Sequence, residues 1–343
     1  HLSIKMSKLG LSISIKNKMK NRPKIKNSII LVTGGAGFIG SHLVDRLITE
    51  GAKQVIVIDN MFLGNEENLK DALSKGAILY KDDCEIYASL EYIFTTHDID
   101  IVFNCATKPI NYTFMNPSNG FQCNTNIMVN LLELQRKNHF KTLVHFSTSE
   151  VFGDAVYEPM DENHPLNPKT TYAAGKVGAD KALEAWVDSF DLDAFIVRPF
   201  NNYGPRQNEK PPLAAVIPVT MFNIINNNPP EIWGDGLQSR DFIYVHDTVD
   251  AIIKVYDKLA PKESVNISTD GQITIKEVVE DICTIMRGMD YNINDITYKP
   301  ARKADVECHI ASNEKIKSLI NYQLTDFTHG LGETISWYLK KLK

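Results

Sequence analysis

No stretch of the sequence stays apolar for 18 residues, so no segment is expected to cross a membrane as a helix. Cysteine is scarce and unpatterned. Cys84, Cys105, Cys123, Cys283 and Cys308 are odd in number, and none forms a C-x-x-C pair. A disulfide framework and a zinc site are both disfavoured, and no metal is expected. The free thiols suit a reducing compartment, hence a cytoplasmic location. Basic charge is also in short supply. The chain carries 37 Lys and Arg against 42 Asp and Glu, a net −5, which argues against a nucleic-acid partner.

The charge is unevenly spread. Residues 1–27 hold eight basic residues and no acid, which leaves 29 basic against 42 acidic residues, or −13, for the rest. The basic segment lacks the apolar core of a secretory signal and reads as a disordered leader. At 343 residues the chain has room for roughly two domains and a full hydrophobic core.

Continuous apolar runs at 28–32, 55–58, 101–103, 143–146 and 194–197 read as buried parallel strands. Helical stretches near 38–50, 85–96, 122–138 and 172–190 separate them. Alternation of this kind predicts an α/β fold, a Rossmann-type doubly wound parallel sheet over residues 28–200. Residues 201–343 look looser, with prolines and asparagines crowding 201–230. They are expected to form a smaller α/β substrate-binding region, with crossovers of the chain back to the first domain left open.

Thr33-Gly34-Gly35-Ala36-Gly37-Phe38-Ile39-Gly40 follows the first strand and opens a helix. Bare backbone at Gly34, Gly37 and Gly40 lets a pyrophosphate approach the helix N-terminus, with Phe38 and Ile39 contributing its first amides. Asp59 closes the second strand, 19 residues after Gly40, where such folds hold the adenosine ribose. A carboxylate there repels a 2′-phosphate, so the expected cofactor is NAD. Asp83 follows a short third strand and suits the adenine edge; Asn60 and Cys84 adjoin these acids and complete that side.

Tyr172 and Lys176 are four residues apart at the start of a helix and share a face. A phenol ionises near pH 10, and a neighbouring ammonium favours its charged form. The pair can take a proton from a sugar hydroxyl while hydride leaves the same carbon. Thr148-Ser149-Glu150 ends the fourth long strand, where ligands bind in such sheets. Thr148 can hold the reacting oxygen. Glu150 adds a carboxylate that simple alcohol oxidation does not need, and Ser149 lies between them.

Together these residues resemble the extended short-chain dehydrogenase/reductase family, in its nucleotide-sugar epimerase/dehydratase branch, over about 28–340. The segment Arg198-Pro199-Phe200-Asn201-Asn202-Tyr203-Gly204-Pro205-Arg206 and the turn Gly234-Asp235-Gly236-Leu237-Gln238-Ser239-Arg240 also match. The resemblance implies that Ala106 and Thr107, at the exit of the 101–103 strand, and Pro199 touch the cofactor. It implies that Asn201 meets the sugar or its phosphate, that Arg240 and Arg302 clamp the diphosphate, and that Trp233 packs on the base. Asn266 is implied as a further nucleotide contact. Family members also commonly pair as homodimers through helices matching 122–138 and 172–190; Met128, Val129, Leu132, Val177, Ala182 and Ala185 are compatible with that contact, and core packing explains them equally well. Gly175 departs from the family's frequent serine.

The resemblance implies a UDP-, GDP- or dTDP-linked sugar as substrate and a shared oxidation at C4. Thr-Ser-Glu differs from the Thr-Asp-Glu of the dehydratases acting on deoxythymidine-diphosphate glucose. It is similar to the corresponding triplet in GDP-mannose and UDP-N-acetylglucosamine dehydratases and in UDP-glucuronate decarboxylases. Glu150 favours a 4,6-dehydratase, a lyase, over a 4-epimerase; a decarboxylase stays open. A binding protein on an inactive dinucleotide fold would be expected to lack Tyr172 or Lys176, and both are present.

Overall fold

The computed structural model describes Met19, residues 21–301 and residues 310–341. Arg302, Cys308 and most of the leader lie outside the described residues. The first half of the chain lays down β1 (Ile29–Thr33), helix α1 (Phe38–Thr49), β2 (Gln54–Ile58), β3 (Ile78–Tyr80), α2 (Tyr87–Thr96), β4 (Ile101–Asn104), α3 (Pro117–Arg136), β5 (Thr142–Phe146), α4 (Thr171–Phe190) and β6 (Asp193–Pro199). Strands β1, β2, β4 and β5 show no polar alternation because helices cover both faces of the sheet. Ile30, Leu31 and Val32 are fully buried, and each such side chain contributes about 1.5–3 kcal/mol relative to exposure.

The strands pair in parallel in the order β11-β6-β5-β4-β1-β2-β3, where β11 is Ser264–Ile267. The order reverses between β1 and β4, so a crevice opens there at the carboxyl ends of the strands. Helix α3 starts earlier than its apolar periodicity suggests. Asn116 accepts the amide of Asn119 and Pro117 occupies the first turn, so a cap sets the start. Helix α4 is capped by Thr170, whose hydroxyl accepts the amide of Ala173. Gly175 explains itself here: a Cβ would stand 2.6 Å from the Phe121 carbonyl of α3. The two helices pack too closely for the serine of relatives.

The second half is not a separate body. Three small strand pairs, β7 (Asn201–Tyr203) with β10 (Phe242–Tyr244), β8 (Glu231–Trp233) with β13 (Thr297–Lys299) and β9 (Ser239–Arg240) with β12 (Ile273–Thr274), and helices α5 (Val216–Ile225), α7 (Ile275–Arg287) and α8 (Phe327–Lys341) surround their own core of Tyr203, Met221, Ile232, Ile282 and Ile335. Yet β11 returns to the main sheet beside β6, and helix α6 (Val245–Val255) packs on α1. Two segments therefore cross back over the division at residue 200.

Residues 21–27 correct the extent assigned to the leader, since they are built into the globule. Arg22 is 4% exposed. Its guanidinium forks the Asp193 carboxylate, at 2.9 Å from Nε and 2.6 Å from Nη2, and Nη1 donates to the Tyr256 carbonyl. It also lies 4.7 Å over the Phe195 ring. A composition-based reading could not see this, because every partner is distant in sequence. Of the residues considered for a dimer contact, Met128 and Leu132 are fully buried in the chain's own core, the second of the two readings open for them, while Val129 stays exposed.

Candidate active site

A cavity of about 440 Å³ opens along the carboxyl edge of the sheet. At one end is the glycine turn between β1 and α1. Gly37 caps α1 with no side chain bonded to its first amides, so those N–H groups and the positive helix end face the cavity. The turn is tightly folded. Gly34 has φ +66, and a Cβ there would lie 2.8 Å from the Ala106 backbone. A Cβ at Gly40 would run into the Gly34 carbonyl. Only glycine satisfies both positions.

Asp59 ends β2 and lines the cavity, 7% exposed. Its oxygens accept the amides of Ala36 at 3.0 Å and Met61 at 2.9 Å, which aim the carboxylate. Burial pushes its pKa up, opposed by those two amides. Asn60 donates to Asp83 at 2.9 Å. Phe38, Ile39, Cys84, Ala106, Thr107 and Pro199 also line the cavity. Glycine turn, uncapped helix end and ribose-side acid form one continuous wall, which suits a pyrophosphate-linked dinucleotide.

Further along the wall stand Thr148, Ser149, Glu150, Tyr172 and Lys176. Thr148 caps a short 3-10 turn, Ser149–Phe152, its hydroxyl accepting the Glu150 amide at 3.3 Å. Burial pushes the Tyr172 phenol up to about 12; the Thr148 and Thr107 hydroxyls pull the other way and Glu150 adds to the rise. Lys176 is 2% exposed and donates to the Phe146 carbonyl at 2.8 Å. Burial brings it down to about 8, and the Asp180 carboxylate opposes that fall. The ammonium is thus anchored to the end of β5.

The expected substrate residues divide. Asn201 lines the cavity, and its buried Nδ2 has no hydrogen-bond partner among the described residues. Trp233, 39% exposed, and Arg240, bonded to the Ser239 carbonyl, lie outside that wall. Asn266 is fully buried in β11, where its Nδ2 donates to the Met160 carbonyl and its amide to Glu162. It fastens the 154–166 loop rather than facing the cavity. Arg302 lies outside the described residues.

Sequence reading passed over several wall residues. Lys108 is 9% exposed and stands 4.1 Å over the Phe62 ring. Phe62, Gln207 and Asn208 line the cavity as well. They sit on loops without a periodic signal, and only position at a strand exit marks Lys108. Among the described residues no group of three or more His, Cys, Asp or Glu could hold a metal ion, and no helix is long and apolar enough to cross a membrane.

Fold and cavity together define the class as a dinucleotide-dependent enzyme. The chain belongs to the NAD dependent epimerase/dehydratase family, whose model matches residues 30–268. Its cofactor is NAD. It is 32% identical to a putative UDP-glucose 4-epimerase of Methanocaldococcus jannaschii, covering 90% of this chain and 98% of that protein. It is 30% identical to dTDP-glucose 4,6-dehydratase of Neisseria gonorrhoeae, covering 90% and 95%. The structure of UDP-glucose 4-epimerase from Thermotoga maritima with UDP-glucose matches with TM-score 0.85 and 31% identity, over 92% of this chain and all of that one. The relatives divide among 4-epimerases, 4,6-dehydratases and a UDP-glucuronic acid decarboxylase of Arabidopsis thaliana, 31% identical over 86% of this chain and 66% of that protein.

Proposed function

We propose that the protein is an NAD-dependent nucleotide-diphosphate-sugar 4,6-dehydratase. The observation that carries this reading is Glu150, a carboxylate on the same cavity wall as Tyr172 and Thr148. Tyr172 can act as base only as its phenolate, which its own burial disfavours and which the Lys176 ammonium and the charge of a bound cofactor would favour; in that form it accepts the C4 hydroxyl proton while Thr148 holds the oxygen. NAD, held by the glycine turn and Asp59, would supply a reversible hydride acceptor for C4 and hydride donor for C6. The C4 ketone acidifies the C5 proton, which Glu150 removes. Glu150 then delivers that proton to O6, which leaves as water; as hydride reaches C6, C5 takes a proton from solvent by way of Glu150, and Tyr172 releases its own proton to solvent. Ser149 occupies the place of an aspartate acid, so Glu150 serves as base and then as acid. Asn201 binds the sugar or its phosphate, and Trp233 and Arg240, each on a short strand, serve the nucleotide together with Arg302.

A 4-epimerase needs only rotation of the sugar and hydride return to C4, which leaves Glu150 without a task. A decarboxylase needs a cation at the C6 carboxylate. Among the described cavity residues the two cations are Lys108 and Lys176. Lys108 packs on Phe62 and acts on Asp59, toward the adenosine side. Lys176 is bound to Phe146. That engagement supports the dehydratase. The exposed side of α3 at Val129 suits a homodimer contact.

The test is a panel of UDP-, GDP- and dTDP-sugars read by mass spectrometry. Loss of one water is expected. Loss of carbon dioxide, or an unchanged mass with an inverted C4 centre by NMR, would replace this reading with one of its rivals.

A further inference from the structure

Behind Lys176 lies a second polar cluster that the reaction above does not use. Asp180 is one turn further along α4, on the face that carries Tyr172 and Lys176, and is fully buried. Its Oδ2 accepts from the Ser147 hydroxyl at 2.8 Å and from Arg198 Nη2 at 3.2 Å. Its Oδ1 has no hydrogen-bond partner among the described residues but faces His145 Nε2 at 3.4 Å. His145 is 1% exposed and Arg198 3% exposed.

The proton positions follow from the donors. Thr33 accepts the Ala106 amide at 3.2 Å and donates its own hydroxyl to Asn104 Oδ1 at 2.7 Å. This orients the Asn104 amide so that Nδ2 donates to His145 Nδ1 at 3.2 Å. His145, kept neutral by burial, therefore carries its proton on Nε2, toward Asp180. A chain of polar groups thus runs from Ala106, in the cofactor wall, through β1, β4 and β5 to Asp180. Burying so many polar groups is costly unless something is gained from their arrangement.

We propose that Asp180, with its second oxygen oriented by His145 and Asn104, is a positioning residue that holds Lys176 in its charged form beneath Tyr172. Two effects converge on Lys176. Asp180 ties Ser147 of the β5 exit, Arg198 of β6 and helix α4 to one carboxylate. Phe146, whose carbonyl binds the ammonium, lies between His145 and Ser147. Asp180 also supplies the negative charge one helical turn away. The other groups facing Lys176 are Cys123 of α3 and Cys105 after β4, whose thiols burial keeps neutral. Arg198 and His145 face Asp180 from β6 and β5. The catalytic assignment of Lys176 rests on the proposed function; its charge state does not.

The experiment measures the Lys176 amine directly. Protein labelled with 13C and 15N in lysine is titrated by NMR at the Cε–Nζ pair, and Lys176→Met assigns the signal. In Asp180→Asn the Lys176 pKa is expected to fall by about one unit, a tenfold loss of proton affinity, and Asp180→Glu is expected to restore most of it. Asp180→Asn leaves Arg198 without its carboxylate and can prevent folding. The charge-balanced double variant Asp180→Asn, Arg198→Gln avoids that and is expected to show the same fall. A Lys176 titration unchanged in a folded variant would overturn the proposal, as would a fall not reversed by Asp180→Glu. The proposed function fails separately, if Tyr172→Phe retains full turnover on the identified substrate.

Discussion

At the scale of single residues, the site depends on atoms that are missing as much as on those present. Gly40 has no room for a methyl group beside the Gly34 carbonyl. Gly40→Ala is therefore expected to destabilise the fold by about 1–3 kcal/mol and to strip bound NAD, read by thermal melting and by the absorbance of the purified protein. Glu150→Gln removes a carboxylate but keeps its size. On the dehydratase substrate it is expected to lower turnover about 100- to 10,000-fold while cofactor stays bound. Full turnover in that variant would remove the reason for preferring dehydration. The wall residues with chemical motifs were legible: Gly34, Asp59, Thr148, Glu150, Tyr172 and Lys176 stand at fixed places relative to strands. Lys108 was not, because a lysine in a loop carries no pattern until its neighbour Phe62 is known. His145 was not either, since one histidine inside an apolar strand reads as packing.

At the scale of elements, local signals predict what local forces decide. Strands β1 and β2 and helix α4 announce themselves by continuous apolar runs, caps and periodicity. The assignment of β11 to the main sheet does not, because Ser264–Ile267 is four residues long and its partner β6 is chosen by tertiary packing. The same holds for the contact of α6 with α1, where His42 is buried. Burial, helped by Arg206, brings its pKa from 6.5 down to about 3, against the pull of the Pro205 carbonyl that its Nε2 donates to at 2.9 Å. The unfolded chain therefore binds a proton near pH 6.5 that the folded chain refuses. The stability from His42 is present above pH 6.5 and is lost as pH falls toward 3. Between pH 7 and 4.5 this amounts to about 2–3 kcal/mol. His42→Gln keeps a donor for Pro205 and is expected to flatten that part of the decline, measured by urea midpoints at the two pH values.

At the scale of the whole molecule, division at residue 200 captures the two cores but not their weave. The −13 of residues 28–343 coexists with a site for anionic groups, because a helix end and a few buried cations act locally where net charge does not. The basic segment is likewise misdescribed by its average. Arg22 belongs to the fold, and Arg22→Met is expected to cost about 3–5 kcal/mol, as for one partner lost from a buried pair. Chemical denaturation checks this, and a change below 0.5 kcal/mol, the scale of ordinary surface substitutions, would place Arg22 outside the cooperative unit.

Arg22 also has a consequence for the order in which the protein is made. Its carboxylate partner lies 171 residues downstream and its carbonyl partner 234. During synthesis the guanidinium leaves the ribosome long before Asp193 or Tyr256 exists to receive it. The parallel strands β1 to β5 can assemble in the meantime, but the strap over β6 and α6 closes only after α6 has emerged. The earliest described part of the chain is thus among the last to find its place, and it fastens strands that were already waiting.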